Sequence, residues 1–369
     1  MVRPPTLCVS KVTVPDEPRS AAIWRHSLAG HVADPGQWAD ELAGRFQLPA
    51  ARITAAVELA DNDRLTRPEL RPLTLADVAA ACRQQCNQHL GDRAVKVQPV
   101  CGWDDLVLPE DRLQKLRDIC AQVRHHYRVY VGWGFGAKLS HGKGISALFS
   151  GPSGTGKTLA AEVLAHDLQL DLYKVDLSGV LSKYIGETEK NLAKIFAEAE
   201  TGNAILFFDE ADALFGKRTA VSDAHDRYAN IETSYLLQRI EDYEGVVILA
   251  TNLRQNMDEA FTRRLRFIVD FPFPEADSRS RIWRTLLPPQ APVAADVDLG
   301  WLARQLEVAG GSIKNIVLNA AFLAAADGGV IDRRHVLQGA RREFEKIGKL
   351  WNDGSVSDLH PEAVGGGAR

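Results

Sequence analysis

Five short apolar runs punctuate the middle of the chain: Ile145 to Phe149, the strand-like DLYKVD at 171–176, AILFF at 204–208, Val246 to Ala250 and Phe267 to Phe271. Runs of this length, rich in β-branched and aromatic residues and bounded by Gly or polar clusters, read as buried strands. TLAAEVLAHDL at 158–168 instead carries apolar residues at helical spacing. Amphipathic helical stretches flank this α/β middle on both sides, WADELAGRFQLPAARITAAVELA at 38–60 and GWLARQLEVAGGSIKNIVLNAAFLA at 300–324.

The two flanks share a phrase. AAIWRHSL at 21–28 returns as SRIWRTLL at 280–287, and the match continues: Trp24 aligns with Trp283, Ile53 with Ile313 and Val78 with Val336, at separations of 258–260 residues. Repeats of one supersecondary unit recur every ~20–50 residues, so this separation marks whole modules. LTLADVAAACRQQ at 73–85 resembles IDRRHVLQGARRE at 331–343, and VTVP at 12–15 echoes VDFP at 269–272. Residues 15–90 are therefore expected to form a helical bundle superposable on 276–345, with the two tryptophans in matching places. The expected order is a remnant strand (1–14), a helical module (15–90), a linker (91–102), an α/β domain (103–275), a helical domain (276–350) and a disordered polar tail (351–369). On this reading the chain begins at the last strand and helical part of an earlier module whose remainder is missing.

With 369 residues, 45% hydrophobic and 25% charged, the chain is an ordinary globular protein with room for two or three domains. Its net charge of −4 provides no global basic field for nucleic acid. The apolar runs fall short of the ~20 residues that span a bilayer, and MVRPPTLCVSKVTVP lacks an apolar signal core, so the expected location is the cytoplasm. Cys8, Cys82, Cys86, Cys101 and Cys120 form no CxxC pair, which fits a reducing compartment. Cys82 with Cys86, and His125 with His126, read as packed or surface residues.

ISALFSGPSGTGKTLAAEVLAHDL, 145–168, is the most informative stretch. A strand runs into a Gly-rich turn and then a helix, the setting required by GxxxxGK[ST], here Gly151, Gly156, Lys157 and Thr158. Backbone N–H groups can wrap a phosphate only where side chains leave them clear, and a helix N-terminus adds positive potential. The phosphate cradle is read as Gly151, Pro152, Ser153, Gly154, Thr155, Gly156, Lys157, Thr158 and Leu159. Lys157 would reach the β/γ-phosphates and the Thr158 hydroxyl would ligate Mg²⁺.

AILFFDEADALF ends its apolar run in Asp209 and Glu210. An Asp at a strand's carboxyl end can hold Mg²⁺, and the adjacent Glu can polarise an attacking water. The two motif strands are not expected to be sheet neighbours. GVVILATNL is expected to supply the intervening strand, bringing Asn252, either a turn residue or a ligand for the γ-phosphate or lytic water. MDEAFTRRLRFIVDFPFP then brings Arg263, Arg264 and Arg266. These form either a solvated helix end or permanently cationic partners for transition-state phosphate charge.

Together and in this order, the motifs resemble the AAA+ superfamily, within it the AAA clade of ring-forming ATPases, over about residues 101–345. The resemblance implies a P-loop NTPase fold of the α/β class: a parallel sheet flanked by helices, then an α-helical lid, preceded here by a second lid-like domain. By it, GPSGTGKT is the Walker A loop, Asp209 and Glu210 are the Walker B pair, and Asn252 is sensor 1. Arg263 and Arg266 match the arginine fingers that reach a neighbour's ATP, with Leu265 and Ile268 replacing the family's usual Gly and acidic residue. SKYIGETEKNLAKIF at 182–196 resembles the pore loop, in which Lys183, Tyr184, Ile185 and Gly186 would grip a polypeptide. Gly310 and Gly311 open a stretch resembling the lid helix near adenine, and Ser312 stands where other relatives carry a sensor-2 arginine. More narrowly, WDDLVLP (103–109), WGFGAKLSHGKG (133–144), ALFGKRT and DAHDRYANIE are similar to ATPases encoded beside phage-tail-like contractile injection systems.

The implied activity is hydrolysis of ATP to ADP and phosphate, with ATP and Mg²⁺ bound, by a homo-hexameric ring that remodels or translocates a protein partner. An injection-system component is the client this resemblance points to, whereas nucleic acid and membrane are not expected partners. Two alternatives stand beside it. A DNA-remodelling protein of the helicase-loader type is opposed by the aromatic pore motif and the acidic balance. An ATP-gated scaffold is opposed by Glu210.

Overall fold

The computed structural model describes residues 15–67, 71–85, 94–139, 142–177, 187–202, 204–211, 234–252 and 262–351. Contacts divide the chain into two compact units. The first combines Met1–Gly102, Glu110–Ser150 and Lys157–Asp270; the second combines Trp103–Pro109, Gly151–Gly156 and Phe271–Arg369.

Four helices open the first unit: α1 (Glu17–Leu28), α2 (Pro35–Arg45), α3 (Ala50–Leu65) and α4 (Leu75–Gln85). Their starts follow from local chemistry. Asp16 accepts from the Arg19 N–H and Asp34 from the Gly36 N–H, filling donors that a first helical turn leaves open. Pro18 and Pro35 sit in first turns, where a missing N–H costs nothing. Trp24, Leu28, Leu42, Phe46, Ile53, Val57 and Val78 are buried. Arg45 is also buried, ion-paired to Glu41; burial lowers its pKa, and the Glu41 charge opposes that effect.

The rest of this unit is a six-stranded sheet of β1 (Ala94–Val97), β2 (Ile145–Ser150), β3 (Leu172–Val175), β4 (Ile205–Phe208), β5 (Val246–Thr251) and β6 (Phe267–Asp270). Its spatial order is β1-β3-β4-β5-β2-β6, parallel except for the β1–β3 pair. Helices α5 (Glu110–Arg124), α6 (Lys157–Leu168) and α7 (Glu187–Gly202) connect it. Strands β4 and β5 are buried at every position, which is why they stand out as unbroken apolar runs. As expected, the motif strands β2 and β4 are not neighbours, because β5 lies between them.

One expectation is corrected. The segment read as a linker, 91–102, contains β1. This edge strand has Val95 and Lys96 exposed and is held by main-chain pairing to β3 and by Lys96 Nζ on Asp171 Oδ2 at 2.7 Å. Neither interaction leaves an apolar pattern. Cys82 and Cys120 are buried and Cys101 is partly exposed, none of them in a disulfide; burial, reinforced by Asp167, pushes the Cys120 thiol up, away from thiolate chemistry. Among the described residues no helix is long and apolar enough to cross a membrane.

The second unit holds α8 (Ala276–Leu286), α9 (Leu299–Gln305), α10 (Gly310–Ala326) and α11 (Arg333–Lys346) around Trp283, Leu302, Leu306, Ile313, Ile316 and Val336. Arg279 is buried and fully used, donating to Ala303 O at 2.7 Å and Pro274 O at 2.6 Å.

Candidate functional site

Ser150, the last residue of β2, lies opposite Thr251 on β5 and Asp270 on β6, and its hydroxyl donates to the Asp270 carboxylate. Three parallel strands therefore end level with one another, the place where open α/β sheets hold ligands. Lys157 begins α6 and is 7% exposed; its Nζ donates to Asn252 Oδ1, just beyond β5, at 2.8 Å. A buried ammonium requires such a partner. The sequence reading named both residues separately, and the fold brings them into contact.

Next to β5, β4 delivers Asp209 and Glu210. Asp209 Oδ1 accepts from the Glu210 N–H at 3.0 Å, and its Oδ2 accepts from Lys174 Nζ at 2.7 Å. Glu210 is exposed and adopts φ +54°, left-handed backbone that costs a non-Gly residue ~1–2 kcal/mol. Lys174 is a site residue that the sequence reading missed. In the four residues of β3 it looks like an outward-facing lysine, and only the β3–β4 register, with Lys174 opposite Phe207 and Val175 opposite Phe208, carries it to Asp209.

The loop Gly151–Gly156 and the glycine pair belong to the second unit. Thr155 Oγ1 donates to Pro152 O at 2.8 Å, and the Gly311 N–H donates to Gly154 O at 2.9 Å. One close approach demands glycine, since a Cβ on Gly151 would lie 2.1 Å from Phe271 O; a second is tight, since one on Gly311 would lie 3.1 Å from Gly154 Cα. Pro152, Ser153 and Gly154 are exposed, whereas Gly310, Thr158 and Leu159 are half-buried. Gly154 and Gly156 have φ of +76° and +102°. Within the first unit, a buried lysine at a helix start and an acid pair at a strand end fit the phosphates and Mg²⁺ of a nucleotide.

The arginines separate. Arg263 is exposed. Arg264 pairs with Glu241 at 3.1 Å. Arg266, expected to accompany Arg263 towards a neighbouring protomer, is bonded within its own chain: Nη2 donates to Tyr130 Oη at 2.9 Å and Nη1 to Gly144 O at 3.3 Å. Lys183, Tyr184, Ile185 and Gly186, read as the pore loop, lie outside the described residues, as do the remnant strand 1–14 and most of the tail.

Comparison with known proteins adds two matches. Residues 147–274 match the ATPase family associated with various cellular activities (AAA), and residues 16–88 match the contractile injection system ATPase helical domain. An uncharacterized AAA family ATPase, y4kL, of Sinorhizobium fredii is 34% identical over 189 residues, 50% of this chain and 54% of that protein. Spastin of Anopheles gambiae is 31% identical over 232 residues, 61% and 27% of the two lengths. A katanin p60 ATPase-containing protein of Danio rerio is 31% identical over 246 residues, 62% and 48%. The chain thus spans about half or less of the length of these relatives.

Proposed function

We propose that this chain is an ATPase of the AAA family, which its matches support, and that it hydrolyses ATP with Mg²⁺ in a homo-hexameric ring and thereby remodels a protein partner, a component of a contractile injection system. The observation that carries the reading is the meeting of Lys157 and Asn252 at the tip of β5, beside the strand that presents Asp209 and Glu210. The helical-domain match over 16–88 supports the choice of client.

Chain residues divide the work. Lys157 exchanges Asn252 for phosphate oxygens, releasing the amide to orient the attacking water. Glu210, exposed just past β4, accepts that water's proton. Thr158 and Asp209 would hold Mg²⁺, and Lys174 gives up Asp209 as they do. Bound Mg²⁺ supplies charge neutralisation at the phosphates. Arg263 serves the nucleotide of the neighbouring protomer; Arg266 would have to surrender two in-chain hydrogen bonds to join it. Lys183, Tyr184, Ile185 and Gly186 grip the client in the ring's channel.

The test is Glu210→Gln. It should bind ATP normally and turn over at least ~100-fold more slowly, since a positioned base contributes 10²–10⁴-fold. Unchanged turnover would refute the role. The same variant, held in ATP, should retain its client for identification, and a DNA strand captured in place of a protein would overturn the assignment of client class.

A further inference from the structure

Arg266 stands just before β6 with its main-chain N–H on Ser146 O at 3.0 Å, so its backbone is already aligned with the sheet. Its guanidinium reaches Tyr130, which is 9% exposed and lies in a five-residue π-helical turn, Arg128–Gly132. Single π turns are rare and are frequent at functional sites. The residue before this turn is Tyr127, and α2 lies against it: a Cβ on Gly44 would come within 3.2 Å of Tyr127 Cβ and 3.5 Å of its amide nitrogen. A cavity of about 520 Å³ is lined by Ser20, Ala43 and Gln47 from the helical domain and by His126, Tyr130 and Lys143 from the body. The turn is thus clamped at Tyr127 and has open space beside Tyr130.

Building on the reading that Arg263 serves a neighbouring protomer, we infer that the helical domain 16–88 sets the position of that arginine through Gly44, Tyr127, Tyr130 and Arg266. Each link is short. Gly44 fixes the start of the π turn, and Tyr130 within the turn fixes the Arg266 guanidinium. Arg266 anchors the end of the segment that carries Arg263 three residues earlier. A partner that shifts α2 would move the π turn into the cavity, loosen Arg266 and withdraw Arg263 from the neighbour's site. Tyr130 and Arg266 are positioning residues here, and neither is required to touch nucleotide.

The test uses the full chain, with assembly confirmed by mass at the assay concentration. Tyr130→Phe removes only the hydroxyl, and because one hydrogen bond is at stake it should lower kcat on the order of 5-fold while leaving KM for ATP unchanged. The double variant Tyr130→Phe/Arg266→Gln should be no slower than Arg266→Gln alone, because both remove the same bond. Gly44→Val, or the milder Gly44→Ala if the larger side chain prevents folding, should lower kcat in the same way and add nothing to Tyr130→Phe. Arg263→Ala is the control. If it lowers turnover while Tyr130→Phe does not, or if Tyr130→Phe and Arg266→Gln act additively, the relay is overturned and the ATPase reading stands. A kcat that falls in Tyr130→Phe but not in either Gly44 variant removes the helical domain from the relay. Unchanged turnover in Arg263→Ala overturns the reading of that arginine itself.

Discussion

Trp24 in α1 and Trp283 in α8 are 0% and 1% exposed, and each buries an indole N–H that has no hydrogen-bond partner among the described residues. The likeness extends around them. Helix α1 packs on α2 and α3, and α3 on α4; α8 packs on α9 and α10, and α10 on α11. Residues 52–60 and 312–320 show the same succession of buried, half-buried and exposed positions. Helix α11 begins with a capping box between Asp332 and His335, and α4 carries a reciprocal pair at the aligned positions, Thr74 and Asp77.

The differences cluster elsewhere. Gly310 and Gly311 align with Ala50 and Ala51, both exposed. A methyl group is harmless at 51, where it meets solvent, but at 311 it would press on the phosphate loop. Arg279, which ties Pro274 to Ala303, aligns with Ser20, whose buried hydroxyl has no partner among the described residues. Core packing maintains the four-helix plan in both places, whereas the residues that serve a phosphate loop occur only beside one. Such a contrast separates what a bundle needs from what a nucleotide site needs.

The largest expected effect tests the likeness. Trp24→Ala and Trp283→Ala should each destabilise their own bundle by ~3–5 kcal/mol, read by denaturant unfolding with hydrogen exchange reporting on each region. A much smaller loss at Trp24 would show that its surroundings collapse around the gap and that the two cores are not equivalent. Gly311→Val tests the difference. Overpacking of ~1–3 kcal/mol against Gly154 should weaken ATP binding about 10-fold or more, measured with a fluorescent nucleotide, while Ala51→Val should leave it unchanged. Equal effects at both positions would break the contrast.

The smallest effect concerns the caps. Desolvation acts to raise the Asp77 pKa, but hydrogen bonds from Thr74 and the Arg67 charge outweigh it and hold the carboxyl below its ordinary range. A depressed carboxylate stabilises the fold fully above its unfolded value near ~3.9 and loses that contribution as pH falls through the lower folded value. Acid titration should therefore weaken α1–α4 by ~1 kcal/mol, a typical capping contribution, below about pH 4. Asp77→Asn should remove that pH dependence.

Much of this molecule could be read before folding was considered. The core strands β2, β4 and β5, the glycine loop with Lys157, the acid pair and the long-range repeat were all visible in the chain. Each depends on spacing within a few residues, or on a core pattern that period and apolarity record directly. What remained hidden depends on which segments lie side by side. The edge strand β1 is held by main-chain bonds and one ion pair, so no apolar run marks it. Lys174 reaches Asp209 through sheet register, Arg266 finds Tyr130 across 136 residues, and Gly44 lies tight against a tyrosine 83 positions away. Local chemistry determines strands, helices and a phosphate loop because their forces act between near neighbours in the chain. Ion pairs, shared hydrogen bonds and close backbone contacts act through space, and their partners are chosen when the sheet and helices assemble.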